Sequence, residues 1–490
     1  MNNRFYKRYA DVHSYTMLQP ISLVLTICIL LWLMLIRWVQ SPKWLGVGWS
    51  LLQMHALFQV GNACLGLGFG ADRLGSLMLL MISFLVVIIA RFAKIYLHRD
   101  PRETVSLRWF LGVWLCASQI AVAQNLLVLA LAWTGTSLCL HGLIAQDRQR
   151  PAGVQAANRK WRIARLADLA LYASLALLWQ ELGTLEIEKL QPLLAMHQSL
   201  STGLQIATVF LAVVAILKSG QLPFHGWLIA VMEAPTPVSA LLHAGAINIA
   251  GFVLIRVAPL LSLSEPAQIL LVGWGGATAL MAGIVATTRP SIKSALAWST
   301  SAQMGFMLLE CGLGAYSLAM LHLLAHSFYK AHSFLNAADT VWNTRRRQLS
   351  GPTSLPEGDQ AWLGALGLCL IVAVTAPAYA VWVVAMTPLW LLAQGNVRWL
   401  LAGFFLVTLY YLQHNLLLVL VPSSPPCRLA LSLAVLFLMT LFVVNRCILR
   451  YPRGVLARWL YPRALAGFHL DEWFQSWFDA QPGGKCEKLA

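Results

Sequence analysis

The chain is 490 residues long, 59% hydrophobic and only 11% charged, so it lacks the polar surface that a soluble protein of this length needs. Its formal net charge of +16 could suggest nucleic acid, but the lysines and arginines fall in short segments between apolar runs, where the positive-inside rule places them. Composition and charge together point to a lipid membrane and away from a nucleic-acid partner.

A membrane-spanning helix needs about 20 predominantly apolar residues. The first such run, Ile21–Val39, follows a polar start and has no small-residue cleavage site, so it is expected to be a retained span and not a signal peptide. After the shorter stretch Trp44–Leu65, spans are expected at Leu74–Ile95, Leu107–Val122, Leu126–Ile144 and Trp161–Trp179. They continue at Leu204–Leu228 (interrupted), Val238–Val257, Ile269–Ala286, Ser294–Cys311 and Tyr316–Thr340. The last are Trp362–Leu392, Trp399–Val421 and Leu429–Cys447. The expectation is an all-α polytopic membrane protein of about 12 to 14 helices. It divides into an N-terminal helix and connecting segment (1–66), a transmembrane domain (67–447) and an amphipathic tail (448–490). The tail sequence Phe468-His469-Leu470-Asp471-Glu472-Trp473-Phe474 suits a membrane surface or a neighbouring subunit.

Basic groups at Arg4/Lys7/Arg8, Arg99/Arg102, Arg148/Arg150/Arg159/Lys160/Arg162, Arg289/Lys293, Arg345/Arg346/Arg347 and Arg450/Arg453/Arg458 fall at alternate inter-helix loops. Both termini are therefore expected on the cytoplasmic side of a bacterial inner membrane. The nine cysteines are scattered and none pairs at ligand or redox spacing, so neither a disulfide framework nor a metal or other cofactor is expected.

Between Leu204 and Ala338 the spans carry many polar and ionisable residues, each costing about 2.5 to 3.5 kcal/mol at bilayer depth. Lys218 comes first, just ahead of Pro223 in Lys218-Ser-Gly-Gln-Leu-Pro223-Phe-His225-Gly-Trp227. Proline breaks the helix, and unwound backbone at that depth must be buried in protein or line a wet cavity. Burial disfavours the charged form of a lysine and a nearby carboxylate restores it, so Lys218 is placed to take and release a proton. The plainer alternative is a lysine that snorkels to the interface or pairs statically with Glu233.

His243 and Lys293 follow, both among small residues that allow close helix approach. His322, His326 and Lys330 are spaced i, i+4, i+8 and share one helix face over about 12 Å. Two histidines at i, i+4 also suit zinc, but no glutamate lies between them and no cysteine or carboxylate lies at ligand spacing, so a proton relay fits better. Hydrogen bonding to neighbouring helices is the third reading.

These segments resemble the proton-conducting antiporter-like membrane subunits of complex I, membrane-bound hydrogenases and Mrp-type sodium/proton antiporters. The resemblance runs from about Leu67 to Asn336 and is carried by Gln124-Asn125, Leu131-Ala-Trp133, Arg165-Leu-Ala-Asp168, Lys218 to Trp227, Pro235-Thr-Pro237-Val-Ser-Ala-Leu-Leu-His243, Ser291-Ile-Lys293 to Ser299 and Gln303-Met-Gly305. It implies inverted five-helix repeats, each with a broken helix, and a hydrated polar axis at mid-membrane. Lys218 is then the broken-helix lysine, His243 and Lys330 lie on the axis, and Lys293 belongs to the connecting helix of the second repeat.

Two departures stand out. Members of this family usually carry a glutamate after the tryptophan of the fifth-helix motif, where this chain has Thr134, so Glu233 or Asp168 is expected to substitute unless Lys218 is tuned differently. From Trp362 to Phe442 the basic side chains besides His414 are Arg398 and Arg428, which leaves His414 as the candidate for the exit half of the path. The chain also stops short of the lateral helix that ties complex I subunits together.

Trp133-Thr-Gly-Thr-Ser-Leu-Cys-Leu-His141, Asn158-Arg-Lys-Trp-Arg162 and Leu470-Asp-Glu-Trp-Phe474 resemble in particular the membrane subunits of DAB inorganic-carbon accumulation systems. That resemblance implies a large cytoplasmic zinc-dependent, carbonic anhydrase-like subunit as partner, with catalysis on the partner and a cation gradient coupled through the membrane subunit. A subunit of a sodium/proton antiporter, hydrogenase or NADH-quinone oxidoreductase, and a non-conducting anchor for a soluble enzyme, remain as alternatives.

Overall fold

The computed structural model describes residues 72–146, 151–195, 200–339, 424–451 and 454–470, with short pieces at 417–418 and 421. The expected spans Ile21–Val39 and Trp362–Leu392, the stretch Trp44–Leu65, most of Trp399–Val421 and the end of the tail lie outside the described residues.

Helix α1 (Arg73–Tyr96) starts where the Asp72 carboxylate accepts the Gly75 amide at 2.7 Å, and it turns the stripe Leu74, Met78, Met81, Leu85, Ile89 inward. Helices α2 (Glu103–Val122) and α3 (Leu126–Ala145) follow, α3 capped by the Asn125 side chain. The two pack closely because Gly112 leaves a notch for the Cys139 sulfur and Gly135 one for that of Cys116. Two cysteines that are far apart in sequence thus lie side by side, a proximity that the spacing rule could not reveal.

Helix α4 (Pro151–Leu182) begins ten residues before the expected span and carries the basic segment Arg159–Arg162 into the helix. The short α5 (Ile187–Ala195) leads to α6 (Thr202–Lys218), which packs along α4. The interruption expected at Pro223 runs from Ser219 to His225. Gly220 makes the reversal at φ +65°, a conformation open to glycine at little cost. The chain resumes as α7 (Gly226–Ala230), a 3₁₀ turn (Val231–Glu233) and α8 (Thr236–Ala244), which opens with Pro237 in its first turn.

The expected span Val238–Val257 is also interrupted: α8 stops at Gly245, a 3₁₀ turn covers Ala246–Asn248, and α9 (Ile249–Arg256) continues. Next come α10 (Ala258–Leu261), α11 (Glu265–Thr287), α12 (Ile292–Gly312) and α13 (Tyr316–Leu335), then α14 (Arg428–Arg450) and α15 (Val455–Leu465). The tightest pairing is α11 on α12, where Gly275 and Gly305 face each other. A methyl group on Gly275 would sit 2.5 Å from the Gly305 carbonyl oxygen. Six of the stretches are long and apolar enough to cross a membrane, and large apolar side chains such as Leu169 (70% exposed) face outward from them. Among the described residues extended pairing is limited to one isolated bridge, Asn125 with Glu186. The protein is a helical membrane protein whose polar residues are turned inward.

Candidate functional site

Both helix breaks face the interior, and their freed backbone groups find partners there. Ser301 Oγ on α12 donates to the Gly220 carbonyl at 2.6 Å, and Trp274 Nε1 on α11 donates to the Leu222 carbonyl at 2.6 Å. Asn248 in the second break donates to the Ala244 carbonyl at 2.9 Å and to Ser327 Oγ on α13 at 2.7 Å. Irregular backbone is stable at this depth because protein groups replace the missing water.

Lys218 ends α6 at the first break, with its side chain 5% exposed. Its Nζ donates to Asp168 Oδ1 at 2.6 Å, and the other carboxylate oxygen of Asp168 lies 2.7 Å from Arg165 Nη2. The ammonium also lies 4.4 Å from the centre of the Trp133 ring. Thr134, in the position where a carboxylate was expected, bonds to the Tyr172 hydroxyl at 3.0 Å. Of the two candidate substitutes, Asp168 is paired with Lys218; Glu233 closes the 3₁₀ turn, and its side chain lies outside the described residues.

A second buried lysine adjoins this pair. Lys160 on α4 is 5% exposed and donates to the Ser137 carbonyl at 3.0 Å. It lines, with Lys218, Trp133, Ser137 and Trp227, a cavity of ≈ 30 Å³, room for one or two waters. Sequence reasoning had set Lys160 among the loop charges. The early start of α4 buries it instead, and its spacing of eight residues from Asp168, two helical turns on one face, was the available signal.

His243 on α8 and Lys330 on α13 are fully buried, with His243 stacked on Phe334 at 4.7 Å. Lys330 Nζ donates to the Leu296 carbonyl at 3.0 Å and to Ser299 Oγ. Both ring nitrogens of His243 and both of His326 have no hydrogen-bond partner among the described residues. Burying such groups unpaired costs about 1–3 kcal/mol each, a cost that water beside them would relieve.

His322, whose ring centroid is 6.1 Å from that of His326, is held at both nitrogens: Nδ1 lies 3.0 Å from Glu310 Oε2 and Nε2 lies 3.0 Å from Gln303 Oε1. Glu310, in the last turn of α12, was missed by the sequence reading, although an ionisable residue within an apolar span is itself the signal. Lys293 sits half-buried in the first turn of α12, at the opposite end of that helix from Glu310. His414 lies outside the described residues. The structure thus brings together Lys218 with Asp168, and His322 with His326 and Lys330 along one helix. Among the described residues no group of three or more metal-ligating side chains gathers.

The family model described as NADH:quinone oxidoreductase/Mrp antiporter, TM, matches residues 123–410. The chain is 37% identical over 423 residues to the probable inorganic carbon transporter subunit DabB of Hydrogenovibrio crunogenus, covering 82% of this chain and 81% of that one. It is 37% identical over 302 residues to the probable inorganic carbon transporter subunit DabB2 of Halothiobacillus neapolitanus, covering 61% of this chain and 55% of that one. To NADH-quinone oxidoreductase subunit L of Escherichia coli it is 34% identical over 287 residues, 58% of this chain and 46% of that one. The chain therefore spans about half the length of these last two relatives. In fold it is similar to the Mrp complex from Dietzia sp. DQ12-45-1b, with a TM-score of 0.52 at 21% identity over 85% of this chain and 50% of that one. It is also similar to the membrane-bound sulfane sulfur reductase, an archaeal respiratory membrane complex, with a TM-score of 0.53 at 15% identity over 92% of this chain and 99% of that one.

Proposed function

We propose that this chain, which belongs to the NADH:quinone oxidoreductase/Mrp antiporter transmembrane family, is the proton-conducting membrane subunit of a complex that accumulates inorganic carbon. A proton enters at Lys218, moves through water past His243 to Lys330, and continues by His326 to His322. Its downhill flow drives a cytoplasmic carbonic anhydrase-like partner that hydrates carbon dioxide, and both termini of the chain face that partner.

The observation that carries the conducting role is the buried corner around Lys218. Among the described residues Lys218 and Arg165 share the carboxylate of Asp168 there, and Lys160 adds a third basic group on the wall of a cavity of ≈ 30 Å³ that Lys218 also lines. Such an imbalance of charge at bilayer depth favours proton exchange over a permanent ion pair. The carbon-accumulating role is supported by the Hydrogenovibrio relative, aligned over about four-fifths of both chains.

Proton flux into vesicles reconstituted with the complex tests the reading. Lys218→Ala is expected to abolish flux and bicarbonate accumulation while the complex still assembles. Loss of assembly with flux per assembled complex unchanged would return Lys218 to a structural role.

A further inference from the structure

The relay that ends at His322 meets a carboxylate that the proposed path does not yet use. Helix α12 runs toward one membrane face and ends at Gly312. The chain turns through Leu313–Ala315, with Gly314 at φ +69°, and α13 runs back from Tyr316. Glu310 therefore lies about 3 Å of helix rise from that turn and His322 about 9 Å from it, while Lys330 lies about 21 Å in. The stripe Lys330, His326, His322 leads toward this face, and Glu310 stands at its end with a side chain only 7% exposed. A carboxylate so placed in an apolar helix needs a partner or a task.

The bonding around His322 leaves one of its two protons free to move. The Gln303 oxygen can only accept, so it holds the proton on Nε2, and the mobile proton is the one shared between Nδ1 and Glu310 Oε2. From this geometry we infer that Glu310 is the terminal carboxylate of the conduction line, which takes the proton from His322 and passes it to water toward the end of α12. The inference rests on the conducting role proposed above.

The step balances simply. With Glu310 ionised and Nδ1 bare, a proton carried by water from the His326 side adds at Nδ1 and makes His322 an imidazolium. The Nδ1–H bond then breaks as an O–H bond forms on Glu310, which leaves a neutral imidazole and a neutral carboxylic acid. The acid gives its proton to water and returns to the carboxylate. Arg289, in the loop before α12, and Lys293, in its first turn, stand at the other end of α12, about 31 Å away, so this face is the outer one on the topology proposed above.

A purely structural role for Glu310, clamping α12 to α13 through His322, would survive Glu310→Gln, because the amide NH2 can donate to a bare Nδ1 and the amide oxygen can accept from a protonated one. A proton-carrying role would not. In reconstituted vesicles Glu310→Gln is expected to reduce proton flux by about a hundredfold or more, with the wild-type unfolding temperature retained. Glu310→Asp and Glu310→Asn give a second matched pair should the glutamine variant fold poorly, and the aspartate is expected to conduct while the asparagine does not. A conducting wild type with equal flux within both pairs overturns the role of Glu310 and leaves the conducting reading standing. Absence of flux from the wild-type complex itself would instead mean that the conducting reading has failed.

Discussion

Lys218 and Asp168 are 50 positions apart in the chain and 2.6 Å apart in space, both nearly closed to solvent. Removing one member of such a pair leaves a buried charge without compensation, at a cost of about 3–5 kcal/mol, whereas replacing both by apolar groups of similar size is often neutral. Asp168→Leu and Lys218→Met are each expected to lower the unfolding temperature in detergent, and the double variant to recover much of the loss. Strictly additive effects would mean that the pair is not coupled. Arg165 modifies this outcome in a definite direction, because it is left facing the vacated site in Asp168→Leu and is unaffected in Lys218→Met. The aspartate variant should therefore be the less stable of the two.

The elements that matter most are the two interrupted helices. The first break depends on Gly220, whose left-handed conformation costs a side-chain-bearing residue about 1–2 kcal/mol. A methyl group there would also press on Leu228, 2.8 Å away, the side chain that follows the break in α7. Gly220→Ala is thus expected to lower the unfolding temperature and to reduce proton flux together, since the same turn positions Lys218 two residues earlier. A variant with wild-type stability and flux would show that the turn is not what sets the lysine. The second break has no proline, and it forms where Gly245 and Asn248 interrupt an otherwise apolar run, with Asn248 tied across to Ser327.

For the whole molecule, the outer surfaces of the spans are apolar and the interior holds a line of charged and polar groups. This is the inverse of a soluble protein and what a membrane solvent demands. Arg256 joins two remote parts of it, bonding to Asp72 before α1 and donating to the Ala123 carbonyl at 2.6 Å. The reach of the molecule beyond itself is tested by gentle purification from its native membrane. A large soluble zinc protein is expected to come with it. Several hydrophobic antiporter-like subunits in its place would assign the chain to a larger antiporter or oxidoreductase.

The membrane class, the helical fold, the break at Pro223 and the placement of Lys218, His322, His326 and Lys330 within apolar helices were legible in the sequence alone. Hydropathy, proline geometry and the cost of a charge in hydrocarbon are local properties, readable from a few adjacent residues. Which group faces which was not legible. The pairing of Asp168 with Lys218, the burial of Lys160 and the contact of Glu310 with His322 depend on how helices far apart in sequence lie against one another. That arrangement is set by small residues such as Gly275 and Gly305, and by the few polar groups that must find each other where no water competes. Pairing across helices belongs to the packed state, so only the tertiary structure decides it.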